Sequence, residues 1–450
     1  MSRGAIDYEP RLPQLMCVGL ARSRPVQGMS PKHCALPAWR VMACDMSVLT
    51  RYTICSEVLV LYAARGVRGF ADGFAVIILP AYLSAIGLTP VEIGVVATTA
   101  LLGSSLLTLV VGFVAPRHDL RTMLILGAAL MVATGAAFPQ IQHIAFVLVV
   151  AFVGTINPNT GDAGILVPLE HAMLTRSVAD SDRTRAFARY SLTGALATAA
   201  GSLAAATPDL LVGAGFGRLA SFEAMFYGYA VLGLLGAALY RQLPHAQAEE
   251  KGASTPLGPS RHTVYKLAAL FSLDSFAGGL VVQSLLALWL FERFDLSLSA
   301  ASLFFFWTSV LTAFSYPVAA RLSARIGLIN TMVFTHIPSS IFLILAAFSS
   351  NLILALGLLL VRSALSQMDV PARSSYVMAV VTPAERTAAA SVTAVPRSLA
   401  SSLGPAIAGL LLATPFSGLP LVACGALKIT YDLALLYSFR HVKPPEEREP

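Results

Sequence analysis

About twelve stretches of this chain are long and apolar enough to cross a ~30 Å hydrocarbon layer, and that feature leaves little choice of architecture. Inside lipid no water satisfies a backbone N–H or C=O, so each stretch must satisfy its own backbone as a helix. The stretches fall near residues 58–86, 92–114, 122–139, 144–172, 188–206, 220–240, 264–291, 298–319, 329–349, 352–380, 388–412 and 419–439. With 56% hydrophobic residues, 12% charged residues and a mean hydropathy of +0.72, the composition belongs to a polytopic membrane protein. The expected fold class is an all-α membrane protein with twelve transmembrane helices.

A formal net charge of +7 would suggest nucleic acid in a soluble chain; here the loops account for it. Alternate loops hold Arg117 and Arg121, then Arg176, Arg183 and Arg185, then Arg241, Lys251 and Arg261, then Arg321 and Arg325, then Arg386. Arg440, Lys443 and Arg448 follow the last stretch, whereas the other set of loops offers almost only Arg218 and Arg293. The positive-inside rule then puts both termini and the linker in the cytoplasm, in agreement with an even number of spans. The expected organisation is a leader at 1–55, a six-helix half at 56–240, a cytoplasmic linker at 241–263, a second half at 264–440 and a tail at 441–450.

The leader carries Pro13, Pro25, Pro31 and Pro37 and lacks a long apolar run, so it reads as neither signal peptide nor span. It is expected to be a disordered leader, a regulatory tail, or sequence upstream of a true start at Met46. Four of the five cysteines precede residue 56 and the fifth is Cys424, a distribution that forms neither a disulfide framework nor a metal-ligand spacing. No cofactor is expected. Arginine outnumbers lysine about fivefold, as in GC-rich bacterial genomes, which suggests a bacterial cytoplasmic membrane as the location.

Charges inside apolar stretches are costly, at least ~2.5 kcal/mol each at the bilayer centre, and so mark water-filled paths or buried partners. The tenth stretch contains R-S-A-L-S-Q-M-D-V-P-A-R from Arg362 to Arg373. On one continuous helix Arg362, Asp369 and Arg373 would share a face within roughly 40°. They form either a polar stripe along a cavity or, for Asp369 and Arg373 at i,i+4, a structural clamp. The first stretch carries Arg65, Arg68 and Asp72, with Asp72 either a proton carrier or the partner of Arg68. The fourth is expected to be a broken helix through Asn157, Pro158, Asn159, Gly161, Asp162, Gly164 and Pro168, with Glu170 and His171 on a solvated face at its end. The seventh carries Asp274, a second deep carboxylate able to pair with Arg68 or Arg362, and Gln283 farther along. Lys428 and Asp432 in the last stretch read as a structural i,i+4 pair.

The two halves repeat at an offset of about 203 to 209 residues, a parallel-repeat transporter architecture with its site between the halves. Asp162 answers Asp369, D-R-T-R-A-F-A at Asp182–Ala188 answers E-R-T-A-A-A-S at Glu385–Ser391, and Gly201 answers Gly404. Between the second and third stretches stands G-F-V-A-P-R-H-D-L-R from Gly112 to Arg121, with a second copy, A-R-L-S-A-R-I-G, from Ala320 to Gly327. On these residues the chain resembles the major facilitator superfamily over roughly 57–440. Gly112, Arg117 and Arg121, and in the second copy Arg325 and Gly327, fit the family's loop signature, whereas Pro116 stands where an acid is usual and Asp119 where a second glycine is usual. The resemblance implies two six-helix halves related by a pseudo-twofold axis, with these loops and the segments of Arg183 and Arg386 gating alternate access. A glycine-rich antiporter signature of the fifth helix is only partly met by A-A-G-S-L-A at Ala199–Ala204; G-P-A-I-A-G stands in the eleventh helix at Gly404–Gly409 instead.

No lysine follows a glycine, so a phosphate-binding loop is excluded, and no convergent catalytic set points to an enzyme. The sequence therefore reads as a secondary transporter of efflux type, exporting a small organic molecule by alternating access with proton coupling through Asp72, Asp369 or Asp274. Arg68, Asn157, Asp162, Gln283, Arg362 and Arg373 are the candidate cavity residues. Two arginines against one aspartate in the tenth stretch favour an anionic or amphiphilic substrate. The expected partners are the lipid bilayer, that substrate and protons, without nucleic acid, for a monomer in the membrane. Uptake by symport, a facilitator, and a transport-inactive sensor or assembly partner on the same scaffold are the alternatives.

Overall fold

The computed structural model describes residues 56–141, 143–159, 164–178, 182–246, 257–382 and 385–440. The leader, the tail, residues 247–256 of the linker, and Asp162 lie outside the described residues. Sixteen α-helices follow one another, without strands among the described residues. The first half contains α1 (Ser56–Ala85), α2 (Pro90–Val114), α3 (Leu120–Ala137), α4 (Ile144–Val153), α5 (Leu166–Ser177), α6 (Arg183–Ala204), α7 (Thr207–Gly213) and α8 (Arg218–Tyr240). The second contains α9 (Arg261–Gly279), α10 (Gln283–Phe294), α11 (Leu298–Ile326), α12 (Leu328–Phe348), α13 (Leu352–Ser366), α14 (Asp369–Val380), α15 (Arg386–Leu412) and α16 (Leu419–Phe439).

Among the described residues eleven helical segments are long and apolar enough to span a membrane, counting α6 with α7, α9 with α10 and α13 with α14 as one segment each. The twelfth crossing is the broken pair α4 and α5, whose pieces are ten and twelve residues long. Local chemistry sets several boundaries. Thr89 and Glu92 form a reciprocal capping box behind Pro90 at the start of α2, and Asp119, Ser297 and Asn351 cap α3, α11 and α13. The short helix α7 is an addition that the hydropathy pattern does not resolve.

The halves share their internal packing. In each, the first crossing lies along the fifth: α1 on α6 and α9 on α15. Glycine permits both approaches, because a Cβ on Gly201 would stand 2.0 Å from the Phe70 carbonyl oxygen and one on Gly404 would stand 2.3 Å from the Gly279 carbonyl carbon. These two glycines are the pair matched in the sequence repeat.

The apolar core is continuous at one end of the bundle and divided at the other. We call the end holding Ser56, Arg440 and the linker the terminal end. At the opposite, far end a single cluster joins both halves, running through Phe74, Tyr82, Val96, Phe226, Leu286, Trp289, Phe305 and Leu412. The halves meet here along α2 and α15, with a Cβ on Gly94 placed 2.5 Å from the Pro405 carbonyl oxygen, and Thr98 Oγ1 accepting from Ala406 N at 2.8 Å. Toward the terminal end the core splits. One cluster, including Leu61, Leu124, Met173 and Tyr240, belongs wholly to the first half; another, including Leu267, Met332, Tyr376 and Leu435, belongs wholly to the second.

Candidate functional site

Three helix breaks meet the middle of the bundle. The fourth crossing opens after Gly154, the seventh between Gly279 and Gln283, and the tenth between Ser366 and Asp369. The first two touch across the halves: Ser284 N donates to the Pro158 carbonyl at 3.0 Å. A break releases backbone groups that only protein or a wet cavity can satisfy at this depth. The cavity is present. Arg68, Asp72, Ser104, Thr155, Asn157 and Tyr229 line about 490 Å³ of space that is partly open to its surroundings.

Asp72 enters this space from α1. Its carboxylate has neither a hydrogen bond nor an ion pair among the described residues, while Thr155 and Tyr229 pair with each other at 3.1 Å nearby. Asn157 turns its Oδ1 to Asn159 N at 3.0 Å and leaves its buried Nδ2 without a partner among the described residues. The expected pairing of Asp72 with Arg68 is not formed, because Arg68 belongs to a different partner. Its guanidinium donates to Glu170 on α5, and Tyr190 and Tyr240 (the latter at 2.6 Å) donate to the same carboxylate. Glu170 is fully buried, so the expected solvated face at the end of the fourth crossing is corrected: the segment after the break turns Glu170 into the bundle. His171 packs edge-on against Phe187 and Tyr190. Arg65 lies over the Tyr190 ring, its guanidinium carbon 5.3 Å from the centroid.

The second half buries a longer network. Asp274 on α9 receives Lys428 Nζ from α16 at 2.7 Å and Arg373 from α14 at 3.1 Å. Arg373 also pairs with Asp369 one turn earlier and lies 5.3 Å over the Phe271 ring. His336 on α12 turns Nδ1 to both Asp432 oxygens at 3.1 Å and Nε2 to Lys428 Nζ at 3.2 Å. Lys428 and Asp432 therefore do not form the i,i+4 pair expected from their spacing; neighbouring helices supply nearer partners for each. Asp274 likewise pairs with neither Arg68 nor Arg362.

The stripe of Arg362, Asp369 and Arg373 is also corrected, since it presumes one continuous helix and the backbone breaks at Gln367 and Met368. Asp369 and Arg373 stay together on α14. Arg362 remains on α13, half-buried, without a carboxylate partner among the described residues. Arg397 on α15, absent from the sequence-based candidates, is a second half-buried arginine, within electrostatic range of Arg373, Asp274 and Asp369. Gln283 opens α10 at the seventh-crossing break and does not line the Asp72 cavity.

At the terminal end the gating-loop candidates occupy short connections. Arg117 and Arg325 are exposed, Gly112 and Arg121 flank the α2 to α3 connection, and Gly327 joins α11 to α12 at φ +87°. Arg183 opens α6, and Arg386 Nε donates to the Met378 carbonyl at 3.2 Å. The anchors of this end are two acids. Asp119 accepts from Thr122 N (2.9 Å), Thr122 Oγ1 (2.7 Å), Ala246 N (2.8 Å) and His245 Nδ1 (3.0 Å), tying the α2 to α3 loop to the segment after α8. Glu385 accepts from Thr382 Oγ1 (2.6 Å), Ser260 Oγ (2.7 Å) and Gly258 N, tying the α14 to α15 loop to the start of α9. Each anchor joins elements of one half only.

Twelve crossings in two like halves, a core divided at one end, and a mid-bundle cavity with buried charges define a membrane transporter of the two-domain helical class. The chain belongs to the Major Facilitator Superfamily, whose family model matches residues 61–282 and 267–450. It is 24% identical over 420 residues to an uncharacterized membrane protein of Saccharomyces cerevisiae, covering 85% of this chain and 94% of that protein. Its fold is similar to the crystal structure of the nucleoside transporter NupG (TM-score 0.68, 14% identity, 86% of this chain and 99% of that one). It is also similar to a bacterial homologue of the human lysosomal transporter Spinster in an inward-facing, occupied conformation (TM-score 0.65, 16% identity, 85% and 96%).

Proposed function

We propose that this protein is a proton-coupled exporter of a small anionic or amphiphilic organic molecule, in which Asp72 is the coupling carboxylate. The observation that carries the reading is the position of Asp72: it enters the mid-bundle cavity without an ion pair among the described residues, whereas Glu170, Asp274 and Asp369 each have a lysine or arginine against them. A carboxylate that is not locked in an ion pair changes its charge at low cost to the surrounding structure, which suits a group that binds and releases a proton.

The divided core supports alternating access. With the terminal end in the cytoplasm, as the loop arginines indicate, the conformation is inward-facing: the far end is sealed by the joint cluster, and the halves are packed separately toward the cytoplasm. Exchange opens the far seam and brings the two terminal-end clusters together. A proton drives that exchange only by binding one state more tightly than the other. Substrate polarity follows from the second half, where Arg362 and Arg397 lack carboxylate partners among the described residues and so offer positive charge to a carboxylate or phosphate. The chain is read as a monomer in a bacterial cytoplasmic membrane.

The test is pH-gradient-driven flux in proteoliposomes across a panel of amphiphilic anions, cations and neutral metabolites. Gradient-dependent flux of anions that is lost in Asp72→Asn and retained in Asp369→Asn supports the reading. Flux that is indifferent to the gradient and to Asp72→Asn overturns the coupling, and preference for cations overturns the substrate polarity.

A further inference from the structure

His336 is a buried histidine between three charged side chains, and its contacts fix its protonation state. Nε2 lies 3.2 Å from Lys428 Nζ, and an ammonium only donates, so Nε2 must accept. Nδ1 faces the Asp432 carboxylate, which only accepts, so Nδ1 must carry the hydrogen. The ring is therefore a neutral Nδ1–H tautomer, assigned by its network. Asp274 Oδ1 completes the arrangement, 2.7 Å from Lys428 Nζ and 3.8 Å from His336 Nε2. The ammonium thus sits between two acceptors, the aspartate and the imidazole.

We propose that His336 is a second proton-binding site, in which a proton on Nε2 and the Lys428 ammonium compete for Asp274. Transfer of a proton from hydronium to Nε2 breaks an O–H bond, leaves a water molecule and displaces the hydrogen bond from Nζ; Lys428 keeps its own protons. An imidazolium has no acceptor to offer an ammonium at 3.2 Å, so Lys428 withdraws. The new Nε2–H then faces Asp274 Oδ1, and the imidazolium bridges Asp274 and Asp432. Lys428, whose side chain is 14% exposed against 3% for His336, is the member with room to leave.

The surroundings favour competition over simple addition. From α16 the ring faces Lys428, Tyr431 and Asp432, and from α9 it faces Asp274. Behind Asp274 stands the Arg373–Asp369 pair of α14, and α13 brings Arg362 against Cys424, one turn from Lys428. The ionisable groups of α11 are Tyr316, Arg321 and Arg325, the two arginines exposed near its terminal end. Adding a proton beside Lys428 and Arg373 without moving either would place three cations around Asp274. Moving the lysine restores the original count.

The inference deepens the proton-coupled reading, but its primary test needs no substrate. The full-length protein, labelled with 15N in histidine and reconstituted in nanodiscs, is followed by NMR from pH 9 to pH 5, with His336 assigned by its absence in His336→Gln. The expected result is an Nδ1–H tautomer at high pH that becomes imidazolium within this range, and a midpoint at least one pH unit higher in Lys428→Met, where the competing ammonium is gone. Lys428→Arg, which keeps the charge, should leave the midpoint closer to wild type than Lys428→Met does. A His336 signal that stays neutral from pH 9 to pH 5 in both wild type and Lys428→Met overturns the proposal, as does a midpoint that Lys428→Met leaves unchanged or lowers. Failure of the flux assay with an intact NMR titration would strike the transport reading and leave this site standing.

Discussion

In the first half a cation on the first crossing, Arg68, meets an anion on the fourth, Glu170; in the second half an anion on the seventh crossing, Asp274, meets a cation on the tenth, Arg373. The positions correspond. Helices α5 and α14 are both twelve residues long and start 203 residues apart, the offset that separates Glu170 from Arg373, and Arg68 precedes Asp274 by 206. The repeat has kept the contact between the two crossings and reversed its signs, which Coulomb attraction permits at no cost because the pair energy depends only on the product of the charges. What differs is the second layer. Two tyrosine hydroxyls complete the Glu170 carboxylate, so the pair is electrically closed by neutral donors. Asp274 is completed by Lys428, which a histidine also holds, and Arg373 is shared with Asp369. The first arrangement has one set of partners and the second has several, so the first half carries a fixed clasp and the second an exchangeable network.

The largest expected effect breaks the clasp. Glu170→Gln leaves Arg68 buried without its counter-charge and should cost about 3–5 kcal/mol, read as a lowered thermal midpoint in detergent or nanodiscs. If the repeat tolerates either polarity, Arg68→Asp combined with Glu170→Arg should recover at least half of that loss; no recovery would show that the tyrosines demand a carboxylate.

Overpacking comes next. Gly201→Ala and Gly404→Ala each drive a methyl into facing backbone and should each cost about 1–3 kcal/mol, by similar amounts if the two packings are equivalent. A cost at one site only would show that the halves differ in packing as well as in charge.

Asp72→Asn is expected to change stability by less than about 1 kcal/mol, since it removes no ion pair, while gradient-driven flux falls by roughly tenfold or more. A large loss of stability would instead make Asp72 a structural charge.

The smallest effect concerns the loop anchor at the terminal end. Burial pushes the Asp119 carboxyl up, but the hydrogen bonds from Thr122, Ala246 and His245 outweigh it and hold it down at about 2. A depressed carboxylate stabilises fully above its unfolded value near ~3.9 and loses that contribution as pH falls toward the folded value. Asp119→Ala should therefore cost about 1 kcal/mol at neutral pH and converge on wild type as pH drops from 4 to 2, measured by melting in acid-stable detergent.

Apolar length and lipid's intolerance of bare backbone made the twelve crossings legible, and the Gly201 and Gly404 match located the repeat. The broken fourth crossing was legible too, through Asn157, Pro158 and Gly164. The charge partners were not. Comparing the halves by identity aligned Asp162 with Asp369 and hid the correspondence of Glu170 with Arg373, because a reversed pair scores as a mismatch. Helical spacing misled in two places: Lys428 and Asp432 share a helix yet find partners on α9 and α12, and the Arg362 to Arg373 angle holds only for an unbroken helix. His336 carried no signal at all, since one histidine in an apolar run looks the same whether it is packed, bonded or exposed. Tertiary neighbours decide such cases, and a linear pattern does not encode them.

The joint apolar cluster at the far end has a thermal consequence. Opening that seam wets faces of Phe74, Trp289 and Phe305 that are now dry, and newly wetted apolar surface raises heat capacity by about 0.45 cal/K/mol for each Å². In the exchange proposed above, the heat-capacity difference between the two access states is set by the apolar area wetted at this seam less the area that the two terminal-end clusters bury against each other. Where the seam is the larger of the two areas, the proposed cycle has a curved Arrhenius plot and the far-open state gains population in the cold.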